Sequence, residues 1–109
     1  MSHRTEQITS TIQRAVQTVI SRGLNDPRVR GLVSVTKVLV DDDLSKATVF
    51  ISVMPSERGE LTMHGLRAAT RRIRRDVGNV IRLRHTPRLF FRLDDSIKRQ
   101  SELEQSLKE

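Results

Sequence analysis

From Lys46 to Val53 the chain alternates, with Ala47, Val49, Ile51 and Val53 facing one way and Lys46, Thr48, Phe50 and Ser52 the other. A period of two has one stable use, a β-strand with a single buried face, so the rest of the chain must supply a partner strand and a covering layer. The partner lies just upstream. Leu32 to Val40 is rich in Val and Thr and reads as a strand. Asp41-Asp42-Asp43-Leu44-Ser45 between the two is polar and short enough for an antiparallel hairpin.

Helices supply the cover. Ile8, Ile12, Ala15, Val16, Val19 and Ile20 recur at helical spacing and predict an amphipathic helix from about Arg4 to Arg22. Gly23 is a C-cap, and Pro27 in Asn25-Asp26-Pro27-Arg28 stops the helix from resuming. After the break at Pro55-Ser56-Glu57-Arg58-Gly59, a second helical region carries the stripe Leu66, Ala69, Thr70, Ile73, Val77, Val80 and Ile81. In a straight helix Arg67, Arg71, Arg74, Arg75 and Arg82 project from the opposite side, at about 80° to 180° from Leu66. Pro87 ends the region, and Leu89 to Leu93 reads as a third strand. Asp94, Asp95 or Ser96 can cap a last helix bearing the thin stripe Ile97, Leu103 and Leu107. The expected order is α-β-β-α(α)-β-α: one α+β domain over residues 1–109, a three-stranded sheet covered by helices.

Charge is distributed unevenly along this frame. The chain has 20 Lys and Arg against 13 Asp and Glu, a net charge of +7. Between Leu66 and Arg92 stand nine arginines (67, 71, 72, 74, 75, 82, 84, 88 and 92) and a single acid, Asp76. The remainder carries 11 basic and 12 acidic residues, so all the excess is arginine in one quarter of the chain. Arginines at i, i+4 spacing repel one another, and a face selected for solubility would mix in Glu and Lys. A polyanion explains the pattern better, because the planar guanidinium donates bidentately to phosphate. Arg84, Arg88 and Arg92 extend the surface along the third strand, whereas Lys37 and Lys46 on the hairpin are expected to contribute little.

Alternation puts Arg88, Phe90 and Arg92 on one side of that strand and Leu89, Phe91 and Leu93 on the other. Phe90 has two readings, a ring covered by core or helix, which is favoured, and a ring stacked on a base. Arg28 also has two, local pairing within a turn fixed by Pro27 and capped by Asp26, which is favoured, and contact with phosphate.

Other functions find little support. Cysteine is absent, and His3, His64 and His85 are far apart, so no zinc pattern exists. Asp41-Asp42-Asp43 lacks the spacing of a calcium loop and reads as a solvated turn. The phosphate-loop and dinucleotide patterns are missing. A nuclease would need clustered acids or histidines, and the basic segment offers Asp76 and His85. A helix-turn-helix DNA reader using Ile73 to Arg84 conflicts with the preceding hairpin and with the scarcity of Asn and Gln on the exposed face. The N-terminal segment lacks the apolar core of a signal peptide, and no apolar run approaches a membrane span, so a soluble cytoplasmic protein is expected, without membrane or small-molecule partner.

Three segments, in this order and spacing, resemble the ribosome-binding factor A family. They are Asp26-Pro27-Arg28; then Val33-Ser34-Val35-Thr36-Lys37-Val38 with Asp43-Leu44, Ala47 and Val49-Phe50-Ile51-Ser52; then Gly78, Arg82-Leu83-Arg84, Thr86-Pro87, Leu89-Phe90-Phe91 and Asp94-Asp95-Ser96. The resemblance spans about Glu6 to Leu107 and implies a type II K-homology-like fold. It further implies a monomeric factor, without cofactor or catalysis, that binds 16S ribosomal RNA within the free 30S subunit. Such a factor assists late maturation, including processing of the rRNA 5′ end, with a role in the cold. The family replaces the Gly-x-x-Gly loop of K-homology domains by an interhelical kink, typically Ala-x-Gly. This chain has no Gly-x-x-Gly, and the matching positions are Ala69-Thr70-Arg71. Arg resists backbone conformations that Gly allows, so the sharpness of the kink is left open. The expected rRNA contacts are Arg67, Arg71, Arg72, Arg74, Arg75, Arg82, Arg84, Arg88 and Arg92, with Arg28 as an outlying member.

Overall fold

A computed structural model describes residues 3–24, 26–29 and 31–94, without the side chains of residues 3–5. The projected last helix, with Ile97, Leu103 and Leu107, lies outside the described residues. The elements are α1 (His3–Ser21), β1 (Leu32–Val40), β2 (Lys46–Met54), a 3-10 turn (Ser56–Arg58), α2 (Gly59–Ala68), α3 (Thr70–Val80) and β3 (Arg88–Leu93).

β1 and β2 form the antiparallel hairpin, and β3 joins the other side of β2 in parallel, giving the order β1-β2-β3. Parallel neighbours need a crossover, which α2 and α3 provide. The inward residues of β2, Ala47, Val49, Ile51 and Val53, are buried, as are Leu89 and Phe91 of β3. The stripe of α1 closes over them with Ile12, Ala15, Val16, Val19 and Ile20, while α2 and α3 contribute Met63, Leu66, Ile73 and Val77. All three described α-helices lie on this face.

β1 does not alternate throughout. A bulge between Val35 and Lys37 adds Thr36, so Val35 and Val38, three apart, both point into the core. The outer edge of β1 is covered by α1. Gln17 Oε1 accepts the Val35 N–H at 2.7 Å, and the Gln17 and Gln13 amides donate to the carbonyls of Val33 and Val35. Those bonds satisfy groups that would otherwise template another strand.

Several expectations are corrected. Val80 is 42% exposed, because α3 ends there and Ile81, with extended backbone, turns inward instead. Leu93, at the end of β3, keeps the side expected of it, with Cδ2 against Gly59 of α2, but is 39% exposed. Thr62 and Met63 are buried although they stand outside the expected stripe. Arg82 lies beyond α3 and so belongs to no helical face.

Candidate nucleic-acid interface

The second helical region is two helices. α2 ends at Ala68 and α3 starts at Thr70; the residue between them, Ala69, has φ −94° and ψ 5°. Its N–H is shared between the carbonyls of Gly65 and Leu66, both at 3.1 Å. That backbone conformation is open to any L-residue, so the chain turns without glycine. Arg71 is already inside α3, where an arginine is unstrained.

The break in the rod sets where the arginines go. Arg67 near the end of α2 and Arg71 and Arg74 in α3 form one wall of a groove along the edge of β3 away from β2. Lys46, Arg88 and Arg92 stand on the strand wall, with Thr48, Thr70 and Phe90 between. Lys46 and Arg88 are directly paired in the β2–β3 register. Among the described residues six cations line the groove and no carboxylate does. Like charges held this close raise the local positive potential and attract a polyanion.

The other predicted arginines are placed differently. Arg72 and Arg75 flank Asp76 at 3.8 and 3.6 Å, and Arg72 also lines a hollow with Leu24, Asp26 and Ala69. Arg84 lines a separate hollow with Asp43, Leu44 and Pro87. Arg82 is exposed past the end of α3.

Arg28 is held by its own turn. Asp26 Oδ2 accepts from Nη2 at 2.6 Å, and Oδ1 accepts from both Nε and the Arg28 backbone N–H at 2.9 Å. These hydrogen bonds, with the nearby positive charge, pull the Asp26 pKa down to about 2. The turn also docks on α2, where the Thr62 hydroxyl donates to the Arg28 carbonyl. At Gly65 any Cβ would come within 2.6 Å of Val29 Cγ2. Of the two readings for Arg28, the geometry shows the local one.

Two groove residues escape the sequence reading. Lys46 reads as a hairpin cation remote from the arginines, and only the parallel pairing of β2 with β3 brings it opposite Arg88. Phe90 is expected under a core or helix, yet it is 40% exposed, with Lys46 Nζ at 5.2 Å and Arg88 Cζ at 5.6 Å from its ring centre. The described helices cover only the opposite face of β3. The acidic hairpin is a capped turn, in which Asp43 Oδ1 accepts from the Ser45 N–H and hydroxyl. Among the described residues no three His, Asp or Glu side chains come together as a metal-holding group, and no helix is long and apolar enough to cross a membrane.

Fold and groove together define a K-homology-like domain of type II. The family model for ribosome-binding factor A matches residues 4–107. The ribosome-binding factor A of Clostridioides difficile (strain 630) is 42% identical over 97 residues, covering 89% of this chain and 76% of that protein. The crystal structure of ribosome-binding factor A from Thermus thermophilus superposes with a TM-score of 0.72 at 28% identity, over 82% of this chain and 93% of that one. A Thermus thermophilus ribosome-binding factor A homology model, fitted into the cryo-EM map of a complex with 30S, gives 0.61 at 26% identity, over 88% and 97%. The chain belongs to the ribosome-binding factor A family.

Proposed function

We propose that this chain is an assembly factor of the small ribosomal subunit, binding 16S rRNA in the free 30S particle and assisting its late maturation. The observation that carries the reading is the groove along the β3 edge, lined among the described residues by six cations and no carboxylate. Family membership supports this target, since a Thermus thermophilus ribosome-binding factor A model was fitted into the map of a complex with 30S. Phosphate contacts in the groove dock the domain, and occupancy then holds or displaces an rRNA helix until the region matures. Backbone contacts do not read sequence, so RNA shape provides most of the selectivity. The reading includes support for processing of the rRNA 5′ end, a greater need for the factor in the cold, a cytoplasmic location and action as a monomer. It assigns the chain no chemistry of its own and no cofactor.

The test is sedimentation of the tagged chain through a ribosome gradient. Recovery with free 30S particles and not with translating 70S ribosomes is the expected result; equal recovery in 70S and polysome fractions overturns the reading. Incubation with precursor rRNA and magnesium should leave the RNA uncut.

A further inference from the structure

The face of the sheet turned away from the helices is covered by none of the described elements. Its outward positions on the three strands carry Lys37, Lys46, Arg88 and Arg92 and no Asp or Glu. Two phenylalanines lie among these cations. Lys37 Nζ is 5.3 Å from the Phe50 ring centre, and Phe90 has Lys46 and Arg88 beside it. Asp94 follows β3 and accepts the hydroxyl of Thr36 on β1 at 2.6 Å, so its carboxylate reaches across β2 on this face and is engaged there.

We propose that this open face is a second RNA surface, on which Phe50 and Phe90 each stack one unpaired base while the surrounding cations hold the adjoining phosphates.

Three observations support RNA as the occupant. First, a stacking site for single strands needs aromatic faces set in positive charge, and both rings have a cation within cation–π range. A protein partner would favour an apolar patch with few charges at its centre. The exposed apolar side chains of this face, Leu32, Leu39 and Met54, instead stand near strand ends, and cations flank both rings. Second, the spacing suits splayed bases. Thr48 is in register with Phe90, so the two rings sit one strand across and two residues along from each other. With strands about 4.8 Å apart and a rise of about 3.3 Å per residue, that diagonal is about 8 Å. The two rings lie beside different cations, Phe90 exposed and Phe50 half-buried in the central strand. Third, the face is continuous with the groove. Arg88, Phe90 and Arg92 belong to both, so a strand leaving the groove crosses the β3 edge directly onto the rings.

This inference rests on the RNA-binding reading above and adds unpaired RNA as the class of ligand. The test uses the full chain and a short oligoadenylate RNA, with the aromatic ring protons followed by NMR. The chain has three phenylalanines, and Phe91, buried on the inner face, is the internal reference. Stacking should shift the Phe50 and Phe90 ring resonances and leave Phe91 in place. The double variant Phe50→Leu with Phe90→Leu should bind the oligonucleotide about tenfold more weakly or worse, and Phe50→Tyr with Phe90→Tyr should restore wild-type binding. Unmoved rings, with shifts confined to α2 and α3, overturn the proposal while leaving the small-subunit reading intact. Rings that contact residues 95–109 or a second copy in the free protein, and keep those contacts when RNA is added, overturn it as well. If the leucine variant does not fold, the ring shifts of the wild type decide alone.

Discussion

The guanidinium of Arg74 donates to the carbonyl oxygen of Thr86 at 2.6 Å, tying α3 to the turn that leads into β3. Its Nε donates to the neighbouring carbonyl of Pro87 at 3.2 Å. Arg74 thus both lines the groove and fixes one wall of it against the other. Arg74→Glu would place a carboxylate against two carbonyl oxygens and remove charge-assisted hydrogen bonds worth roughly 1.5–3 kcal/mol each, partly offset by solvent. Thermal melts should show Arg74→Glu clearly destabilised, with Arg71→Glu close to wild type.

Charge reversal at the groove is therefore best made at Arg67 and Arg71, whose side chains, unlike that of Arg74, are not tied to a backbone carbonyl. The double Glu variant should fold normally and bind free 30S particles about a hundredfold more weakly, from the loss of two charge-assisted phosphate contacts and added repulsion. Lys46→Glu alone should cost about tenfold, since the residue faces the groove. Arg14→Glu, exposed on α1, should change little. Titration of labelled 30S subunits with each variant gives the comparison, and wild-type affinity in the double variant would remove the groove from the binding surface.

Salt provides a count of contacts. If the six groove cations each displace a counterion, log K should fall against log salt with a slope of about −4 to −5. Replacing Lys46 by Gln should reduce the magnitude of that slope by about 1. A flat response would mean that binding does not run through phosphate.

Arg71→Gly tests where the helices part. Because the turn is made at Ala69, glycine at 71 relieves nothing and adds flexibility to the first turn of α3. The expected result is a stability loss of about 0.5–1 kcal/mol together with weaker RNA binding. A gain in melting temperature would show that Arg71 strains the junction.

Acid should weaken the Asp26–Arg28 turn in a defined range. The folded pKa of Asp26 is about 2, below the ordinary value of 3.8, so the proton binds more tightly to the unfolded chain. The stabilisation is complete above about pH 5 and disappears as pH falls from about 4 through 2. Asp26→Asn should therefore be less stable than wild type at neutral pH, and the gap should narrow across that range. Denaturant titrations of both proteins at several pH values measure it.

Where one period dominates, the sequence is easily read. Lys46 to Val53 alternates, and β2 runs from Lys46 to Met54; α1 falls within a residue of its expected ends. The bulge at Thr36 leaves a faint trace, a step of three between Val35 and Val38 where two was due. The arginine face is harder, because a helical wheel assumes a straight rod and this one breaks at Ala69. Its members divide accordingly. Arg67, Arg71 and Arg74 meet Arg88 and Arg92 in the groove, whereas Arg72 and Arg75 flank Asp76, and Arg82 and Arg84 lie past the helix. The parity of β3 is legible, with Arg88, Phe90 and Arg92 on one side, but which side the helices cover is not. That depends on a long-range pairing that no local pattern encodes.

The parallel pairing of β3 with β2 has a consequence for synthesis. The hairpin and α1 form from early, mostly local contacts, but the groove needs a strand added at the far end of the described chain, after α2 and α3 have crossed over. A growing chain halted before Arg88 presents Arg67, Arg71 and Arg74 with no opposing wall. On the reading proposed above, the phosphate-binding surface is therefore complete only once translation has passed β3.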